Sequence, residues 1–555
     1  MKPWAIVSFW CVLTACATTS RFTTREELER VLSSPRPAKL FRDATVDVER
    51  WELAGPFPER VGDAPHGTGD AWSRLFVERA QRKGARPVEP LACVARETAR
   101  FIAAKGGYPG SLLKDFIVAR CGNAAPKVAL RSLAGDVPDE VSDDDLFARW
   151  KADVGKMSEE LEPGQLAGFA LVREGGKAAA VVASITPRGA VEPLSIFPSE
   201  RHTVVVRGTA PVGAASVYGY ANQGQTKSAR CVDSKLPLPA FELTCEVNAA
   251  DAHAWIDVSS AEKDRLLSSG FVRLLVWPAG APSNTFERPV YGTPGGELSP
   301  AGVLAQVNAV RAQAGMAPLE LSAAQSADNH ELAPFFFDAL FRDDAQQQDR
   351  IALGVIAGWR VESEITGGTF VSEWVDVPDL SLLVAHHLES AGARAALLDP
   401  EHRVLAVGLY REEGFVGSLL SVYAKATPPT WPDSTEALLL QLDEARKKQG
   451  KPEAQWIRLP SELEKRLAEA VAKQESDDEE ALGHFMSEAM EVTKRPVHGW
   501  RIHVSKLNEV DWPETLLKKE QLEVLGVVTV QRAKGSPWAD YLILVVELLA
   551  GGDEA

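Results

Sequence analysis

Three stretches of the chain share one pattern of hydrophobic and polar positions. In each stretch, apolar residues recur at helical spacing and the pattern closes on basic residues, a glycine and a nearby proline. The stretches are residues 75–92, 304–321 and 440–457. A helix should end at the glycine of each, where a left-handed backbone is needed: Gly84, Gly315 and Gly450. Second helices are predicted at 93–104, 323–340 and 461–473.

Later in each copy, apolar residues alternate around a glycine-containing turn, which predicts a β-hairpin. These segments are residues 166–185, 397–424 and 516–548. The second and third copies also share Gly-Trp-Arg followed by Val or Ile, at 358–361 and 499–502. One helix–helix–hairpin unit is therefore predicted three times, and the first copy is the faintest.

Residues 201–290 follow a different pattern. Short β-rich runs such as HTVVVRG and FVRLLVW are separated by Gly, Pro, Asn and Ser turns at close spacing. This pattern is typical of an all-β sandwich of the immunoglobulin-like kind. We therefore expect a β-sandwich between the first and second copies of the repeated unit.

The N-terminus has the features of a targeting signal. One positive charge at Lys2 precedes an apolar run from Trp4 to Val12, which is too short to span a bilayer. Residues 13–16 read Leu-Thr-Ala-Cys, which resembles the lipobox of bacterial lipoproteins. The resemblance implies cleavage before Cys16 and lipidation of that cysteine, which would anchor the protein to a membrane. An ordinary secretory signal with an incidental cysteine is the alternative.

The residue after the lipobox bears on localisation. Ala17 is not an aspartate, and the sorting rule of enteric bacteria then points to the outer membrane. The protein is therefore expected in the cell envelope, on the periplasmic face or at the cell surface.

The composition is that of an ordinary globular protein. The 555 residues are 45% hydrophobic and 25% charged, which suits several domains. A formal net charge of −17 without a concentrated basic surface argues against a nucleic-acid partner.

Four cysteines remain after Cys11 leaves with the signal and Cys16 is lipidated. An even number in an oxidising compartment predicts disulfides, and the nearest-neighbour pairing is chosen from three possible connectivities. It joins Cys93 to Cys121 and Cys231 to Cys245. A zinc site is the rival interpretation, but the spacings are wide and no histidines flank the cysteines.

The second copy resembles a CAP domain, of the cysteine-rich secretory, antigen 5 and pathogenesis-related superfamily. Its opening motif is matched by Asn308, Arg311, Gly315 and Leu319. A later family motif is matched by residues 390–400, Ser-Ala-Gly-Ala-Arg-Ala-Ala-Leu-Leu-Asp-Pro, followed by the Val407-Gly408 strand. The resemblance covers 298–424 well, the third copy loosely and the first faintly. It implies an α+β fold in which each unit is a three-layer α–β–α sandwich.

The departures from the family motif bear on function. Metal-binding CAP domains place two histidines and two acidic residues in a cleft, and one histidine position is occupied here by Ala393, beside Arg394. The other falls near Leu332, whereas the nearest histidine is His330, on a different helix face. Glu364 is the best candidate for the first cleft glutamate, with Glu362 as its alternative. A cleft with so few ligands should be empty or water-filled, so no metal or cofactor is expected.

Other histidines support no strong motif. His330-Glu331 starts like a zinc-protease helix, but Pro334 stands where the second histidine must be. His386 and Glu389 are three residues apart and could pair around a metal, but we interpret them, with His387, as a polar helix face.

These observations divide the chain into six parts. They are a signal peptide (1–15), an N-terminal tether (16–50), a first CAP-like unit (51–190), a β-sandwich (191–292), and a second (298–425) and a third CAP-like unit (435–550).

Two functions are compatible with the sequence. The favoured one is a non-catalytic envelope lipoprotein that presents binding faces to an envelope protein, peptidoglycan or a lipid. The alternative is a hydrolase with a rearranged site built from His330, Glu364 and His386, which requires these side chains to converge.

Overall fold

The computed structural model describes most of the chain, which contains both helices and strands. The predicted lipidation site Cys16 and the candidate cleft residues Glu362 and Glu364 lie outside the described residues. The helix predicted at 461–473 and the Gly-Trp-Arg-Val motif at 358–361 also lie outside them. The described residues are 9–12, 25–35, 45–197, 202–263, 265, 267–280, 282–293, 295–357, 365–376, 379–412, 414–425, 433–457, 478–504, 510–532 and 539–549.

The N-terminal part contributes one helix and four short strands. The helix packs on a later part of the chain: Leu28 is fully buried, and a Cβ added at Gly354 would lie 2.4 Å from the Leu28 Cδ1. The elements are β1 (Phe9–Val12), α1 (Arg25–Leu32), β2 (Thr45–Val46), β3 (Arg50–Glu52) and β4 (Arg60–Val61).

The first repeat, residues 71–185, carries helices on both faces of a small sheet. In its last strand the even-numbered residues from 178 to 182 enter one core and the odd-numbered residues from 179 to 183 enter another, because neighbouring strand residues point to opposite faces. The elements are α2 (Ala71–Arg82), β5 (Arg86–Pro87), α3 (Glu89–Lys105), β6 (Tyr108–Pro109), α4 (Ser111–Arg120), β7 (Ala129–Asp136), α5 (Asp143–Glu159), β8 (Leu166–Glu174) and β9 (Lys177–Ile185).

Every described element of the β-rich segment, residues 190–287, is a strand. Two antiparallel sheets form, with strand orders β10-β12-β16-β15 and β14-β13-β17-β18. The strands are β10 (Ala190–Val191), β11 (Leu194–Ser195), β12 (Thr203–Thr209), β13 (Ala214–Gln223), β14 (Lys227–Arg230), β15 (Val232–Asp233), β16 (Ala240–Glu246), β17 (Ala254–Glu262), β18 (Ser268–Val276) and β19 (Thr285–Glu287).

In the second repeat, residues 300–425, a long helix approaches the sheet closely. A Cβ added at Gly408 would lie 2.4 Å from the Asn329 carbonyl carbon, so only glycine allows this distance. The elements are α6 (Pro300–Gln313), β20 (Glu320–Leu321), α7 (Ala323–Arg342), α8 (Ala345–Ala357), β21 (Ile365–Val375), α9 (Leu380–Glu389), α10 (Ala391–Leu397), β22 (Val404–Glu412) and β23 (Phe415–Lys425).

The third repeat, residues 433–548, belongs to a second compact unit of the chain. Its last strand again alternates between two cores, one for residues 541, 543 and 545 and one for 542, 544 and 546. The elements are α11 (Asp433–Lys448), β24 (Gln455–Trp456), α12 (Asp478–Thr493), β25 (Val497–Val504), α13 (Glu514–Lys518), β26 (Glu523–Arg532) and β27 (Ala539–Leu548).

The three repeats have the same strand order. It is β5-β8-β9-β7 in the first, β20-β22-β23-β21 in the second and β24-β26-β27-β25 in the third. In each, a two-residue strand after the opening helix runs parallel to the first strand of the hairpin. The first copy, the faintest in sequence, therefore has the same sheet topology as the other two.

Local sequence signals set the helix ends. Gly84, Gly315 and Gly450 have φ values of 74°, 71° and 71°, the left-handed conformation predicted for them. Asp70 accepts a hydrogen bond from the Ser73 backbone N–H at the start of α2.

Strand β1 lies between β18 and β21 and joins their sheets into one of nine strands. It falls within the predicted signal peptide, so cleavage before Cys16 would remove it.

Among the helices that the structure describes, none combines the length and the apolar composition needed to cross a bilayer.

Both disulfides have the pairing expected from the sequence. Cys93 on α3 bonds to Cys121, the residue after α4, and Cys231 bonds to Cys245 within the β-rich segment.

A single hydrophobic core runs through one face of the first repeat, the β-rich segment and the second repeat, with Val94, Leu274 and Leu383 among its members. These three parts form one packed body.

Candidate functional site

The two positions at which the resembled family has cleft histidines lie in the interior. Ala393 on α10 and Leu332 on α7 both have no exposed surface. Neither side chain offers a lone pair to a cation. The cleft predicted as empty or water-filled has hydrophobic side chains at both of these positions.

The structure describes two of the three residues of the hydrolase alternative, His330 and His386, and does not bring them together. His330 is exposed on α7, whereas His386 on α9 has no exposed surface. Both histidines are described, and no hydrogen bond connects them. Glu364 and its alternative Glu362 lie outside the described residues.

The prediction that His386, His387 and Glu389 form a polar helix face is wrong. All three are buried, at 0%, 1% and 6% exposure. The preceding residues of α9, Leu-Ser-Leu-Leu-Val-Ala, give the helix apolar residues on every side, and such a helix is buried. This feature of the sequence could have identified the helix as interior.

The buried polar groups of α9 lie close to polar groups of the second repeat and of the segment before it. His386 Nδ1 lies 3.1 Å from Glu373 Oε2, and His387 Nε2 lies 2.8 Å from Ser418 Oγ. The Tyr291 hydroxyl donates to Glu389. Burial lowers the pKa of His387 to about 4, so its ring is neutral at neutral pH. Buried contacts of this kind fix the packing of a helix.

Arg394, a candidate cleft residue, has a structural role. Its guanidinium donates to the carbonyl oxygens of Leu388 and Gly224 and to the Tyr291 hydroxyl, at 2.5, 2.6 and 2.6 Å. Gly224 lies in the turn between β13 and β14. Arg394 therefore joins the second repeat to the β-rich segment, and at 2% exposure it cannot reach a ligand in solvent.

A line of buried charges joins the three parts that share the core. Asp115 on α4 lies 3.6 Å from Arg273 on β18, and Arg273 lies 3.8 Å from Asp257 on β17. Asp257 accepts a hydrogen bond of 2.6 Å from the Ala391 N–H at the start of α10. Burial raises the pKa of Asp257, while the positive charge of Arg273 opposes that shift.

The arginine of the opening motif also serves the fold. Arg311 donates to the carbonyl oxygens of Ala317, Leu397 and Asp399 at 2.8, 2.8 and 3.0 Å. Arg446 stands at the same place in the third repeat, four residues before the terminal glycine, and donates to Pro452, Leu516 and Lys519. The first repeat has Ala80 there. In the second and third repeats, this arginine thus binds carbonyl oxygens at the end of the helix that precedes the hairpin.

No metal centre is found in the part of the chain that the structure describes: nowhere do three or more His, Cys, Asp or Glu side chains come together to hold an ion.

A cleft that the sequence did not indicate opens between the first repeat and the β-rich segment. It has a volume of about 490 Å³ and is lined by residues from both, including Arg86, Lys127 and Arg188. These cations lie far apart in sequence and form no motif, so no local signal could have identified them.

The chain was compared with family models, curated proteins and solved structures. No family model matches the sequence, and no curated protein matches it. Among solved structures, the chain is similar to a cysteine-rich secretory protein from Staphylococcus aureus subsp. aureus Mu50, with a TM-score of 0.18 and 13% identity over 43% of this chain and 85% of that chain. A TM-score this low carries no argument about fold or function.

Proposed function

We propose that this protein is a lipoprotein of the bacterial cell envelope whose CAP-like repeats and immunoglobulin-like β-sandwich act as a non-catalytic binding or scaffold protein. The burial of Ala393 and Leu332 carries the proposal, because a side chain without a lone pair cannot hold a cation. The contacts of Arg394 support it, since the residue beside the position of the family's histidine donates to carbonyl oxygens in the interior.

The shared core also supports a scaffold. A body in which two repeats and the β-rich segment pack as one presents its surfaces in fixed geometry, which lowers the entropy cost of binding. The partner belongs to the envelope: another envelope protein, peptidoglycan or a lipid.

Metal analysis tests the non-catalytic part. The purified protein is incubated with excess zinc, passed through a desalting column and analysed for bound metal. We expect far less than one zinc per chain. One zinc per chain, retained at the second repeat through three protein ligands, would contradict the proposal.

Lipid labelling tests the anchor. Cells that express the wild type or Cys16→Ser are grown with labelled palmitate and fractionated. The wild type should carry label and sediment with the outer membrane, and the variant should be unlabelled and absent from that fraction. An unlabelled wild type would refute the lipidation at Cys16.

A further inference from the structure

The cleft between the first repeat and the β-rich segment has the size of a small-molecule site. Its volume of about 490 Å³ lies within the range of ligand pockets. One wall is the segment from Ile185 to Val191 that follows the first repeat, and the strand residues Gly270 to Val272 form another. Apolar side chains on both walls, among them Ile185 and Phe271, could cover the body of a ligand.

The charged residues of the cleft are unbalanced. Three cations and one carboxylate line it. The carboxylate, Asp63, is paired with Arg86 at 2.5 Å. Within the described ranges Arg188 pairs only with Asp343, at 3.9 Å. Both of these side chains are substantially exposed, so their interaction is weak. Lys127 makes no hydrogen bond or ion pair with any other residue that the structure describes.

The surroundings of Lys127 disfavour its positive charge. Burial lowers the pKa of Lys127 to about 7, the positive charge of Arg188 lowers it further, and the Asp343 carboxylate opposes both. An anion placed beside the amino group would offset this penalty, because it adds a second negative charge to that of Asp343.

We propose that this cleft binds a small organic anion whose acid group lies beside Lys127 and Arg188 and whose apolar body lies against Ile185 and Phe271. The acid group is a carboxylate or a phosphate monoester on a short apolar chain. The site is separate from the second-repeat cleft, so this proposal does not depend on the proposed function.

Binding of matched probes tests the proposal. Octanoate and octyl phosphate carry the two acid groups, octanol and octylamine carry the same chain without a negative charge, and inorganic phosphate carries no chain. Affinities for the full-length protein are measured by ligand-observed NMR at pH 6.5. At least one of the two acids should bind about tenfold more tightly than octanol, octylamine and inorganic phosphate. Comparison of the two acids identifies the preferred acid group.

Variants locate the probe. Lys127→Gln should weaken binding of the preferred acid about tenfold or more. Lys156→Gln, which removes an exposed lysine on α5 outside the cleft, should leave it unchanged. Arg188→Gln is the second cleft variant and should also weaken binding. Circular dichroism checks that each variant is folded. If Lys127→Gln does not fold, the affinity of Arg188→Gln tests the position of the anion.

The pH dependence separates a charged lysine contact from simple burial of the alkyl chain. The charged groups that face Lys127 are Arg188 and Asp343, and the cleft also holds Arg86 and Asp63. Carboxylates and guanidinium groups ordinarily titrate outside the interval from pH 6.5 to 8.5. Affinity for octanoate should therefore fall about tenfold across that interval, as the free amine loses its proton. Lys127→Arg, which stays charged, should bind without this loss.

Two results would overturn the proposal. One is equal binding of octanol and both acids, which would indicate an apolar cleft without a role for charge. The other is wild-type affinity in folded Lys127→Gln and Arg188→Gln, which would place the anion elsewhere.

Discussion

At the scale of single residues, buried arginines carry much of the architecture. Arg311, Arg394 and Arg446 have at most 2% of their surface exposed, and each donates mainly to backbone carbonyls. The planar guanidinium has five donors and can satisfy several carbonyls at a helix end, where four have no intrahelical partner. Arginine is therefore suited to closing the helix before the hairpin in the second and third repeats.

Removing Arg311 should expose this role. Arg311→Leu leaves carbonyls of Ala317, Leu397 and Asp399 without a donor in the interior, which should cost about 3 kcal/mol or more in the free energy of unfolding. Urea denaturation measures the loss. The control is Arg403→Leu, since Arg403 is exposed and contacts the same loop. Equal losses in the two variants would contradict the assignment.

At the scale of elements, the repeats preserve topology while changing residues. The order of four strands is common to all three, although Arg311 and Arg446 correspond to Ala80 in the first. In the first and third repeats, the last strand alternates between two buried cores, so both faces of the sheet are covered. Helix α9 differs, because its apolar residues predict burial, whereas the groups beside its histidines come from other elements.

The burial of α9 should make stability depend on pH. The folded protein holds His387 with a pKa of about 4, against about 6.5 in the unfolded chain, so the unfolded state binds the extra proton between these values. The stability that depends on a neutral His387 is complete above pH 6.5 and is lost as the pH falls toward 4. Between pH 7 and pH 5 the free energy of unfolding should fall by about 2 kcal/mol for this reason.

Urea denaturation of His387→Gln at the two pH values measures that contribution. Glutamine cannot titrate, so the variant should lose less stability between pH 7 and pH 5 than the wild type does. Comparison at two pH values cancels the constant cost of the substitution itself. The same pH dependence in both proteins would show that His387 is not the group responsible.

At the scale of the whole molecule, parts that look separate in sequence share one interior. The core of the first compact unit extends from Val94 of the first repeat through Leu274 to Leu383 of the second. Buried charges from Asp115 to the start of α10 cross the same parts. The third repeat has cores of its own, within a second compact unit.

This division predicts two unfolding transitions in scanning calorimetry. Arg311→Leu should lower the temperature of one transition, and Arg446→Leu, its counterpart in the third repeat, should lower the other. The physical reason is that each arginine closes a helix within a different unit. A single transition that both variants shift alike would contradict the division.

The sequence alone determined the local features of this protein. The helix ends at Gly84, Gly315 and Gly450, the three hairpins and both disulfide pairs follow from residues close together in the chain, because turn chemistry, periodicity and loop closure act over short distances.

The tertiary structure decided the rest. The partner of Arg394 at Gly224 is 170 positions away, and the cleft around Lys127 draws its walls from distant strands. The Ser418 hydroxyl that lies 2.8 Å from the His387 ring belongs to a strand that comes later in the chain. Whether a polar side chain is a ligand, a clamp or a surface group depends on what surrounds it, and surroundings assembled from distant segments leave no pattern in the sequence.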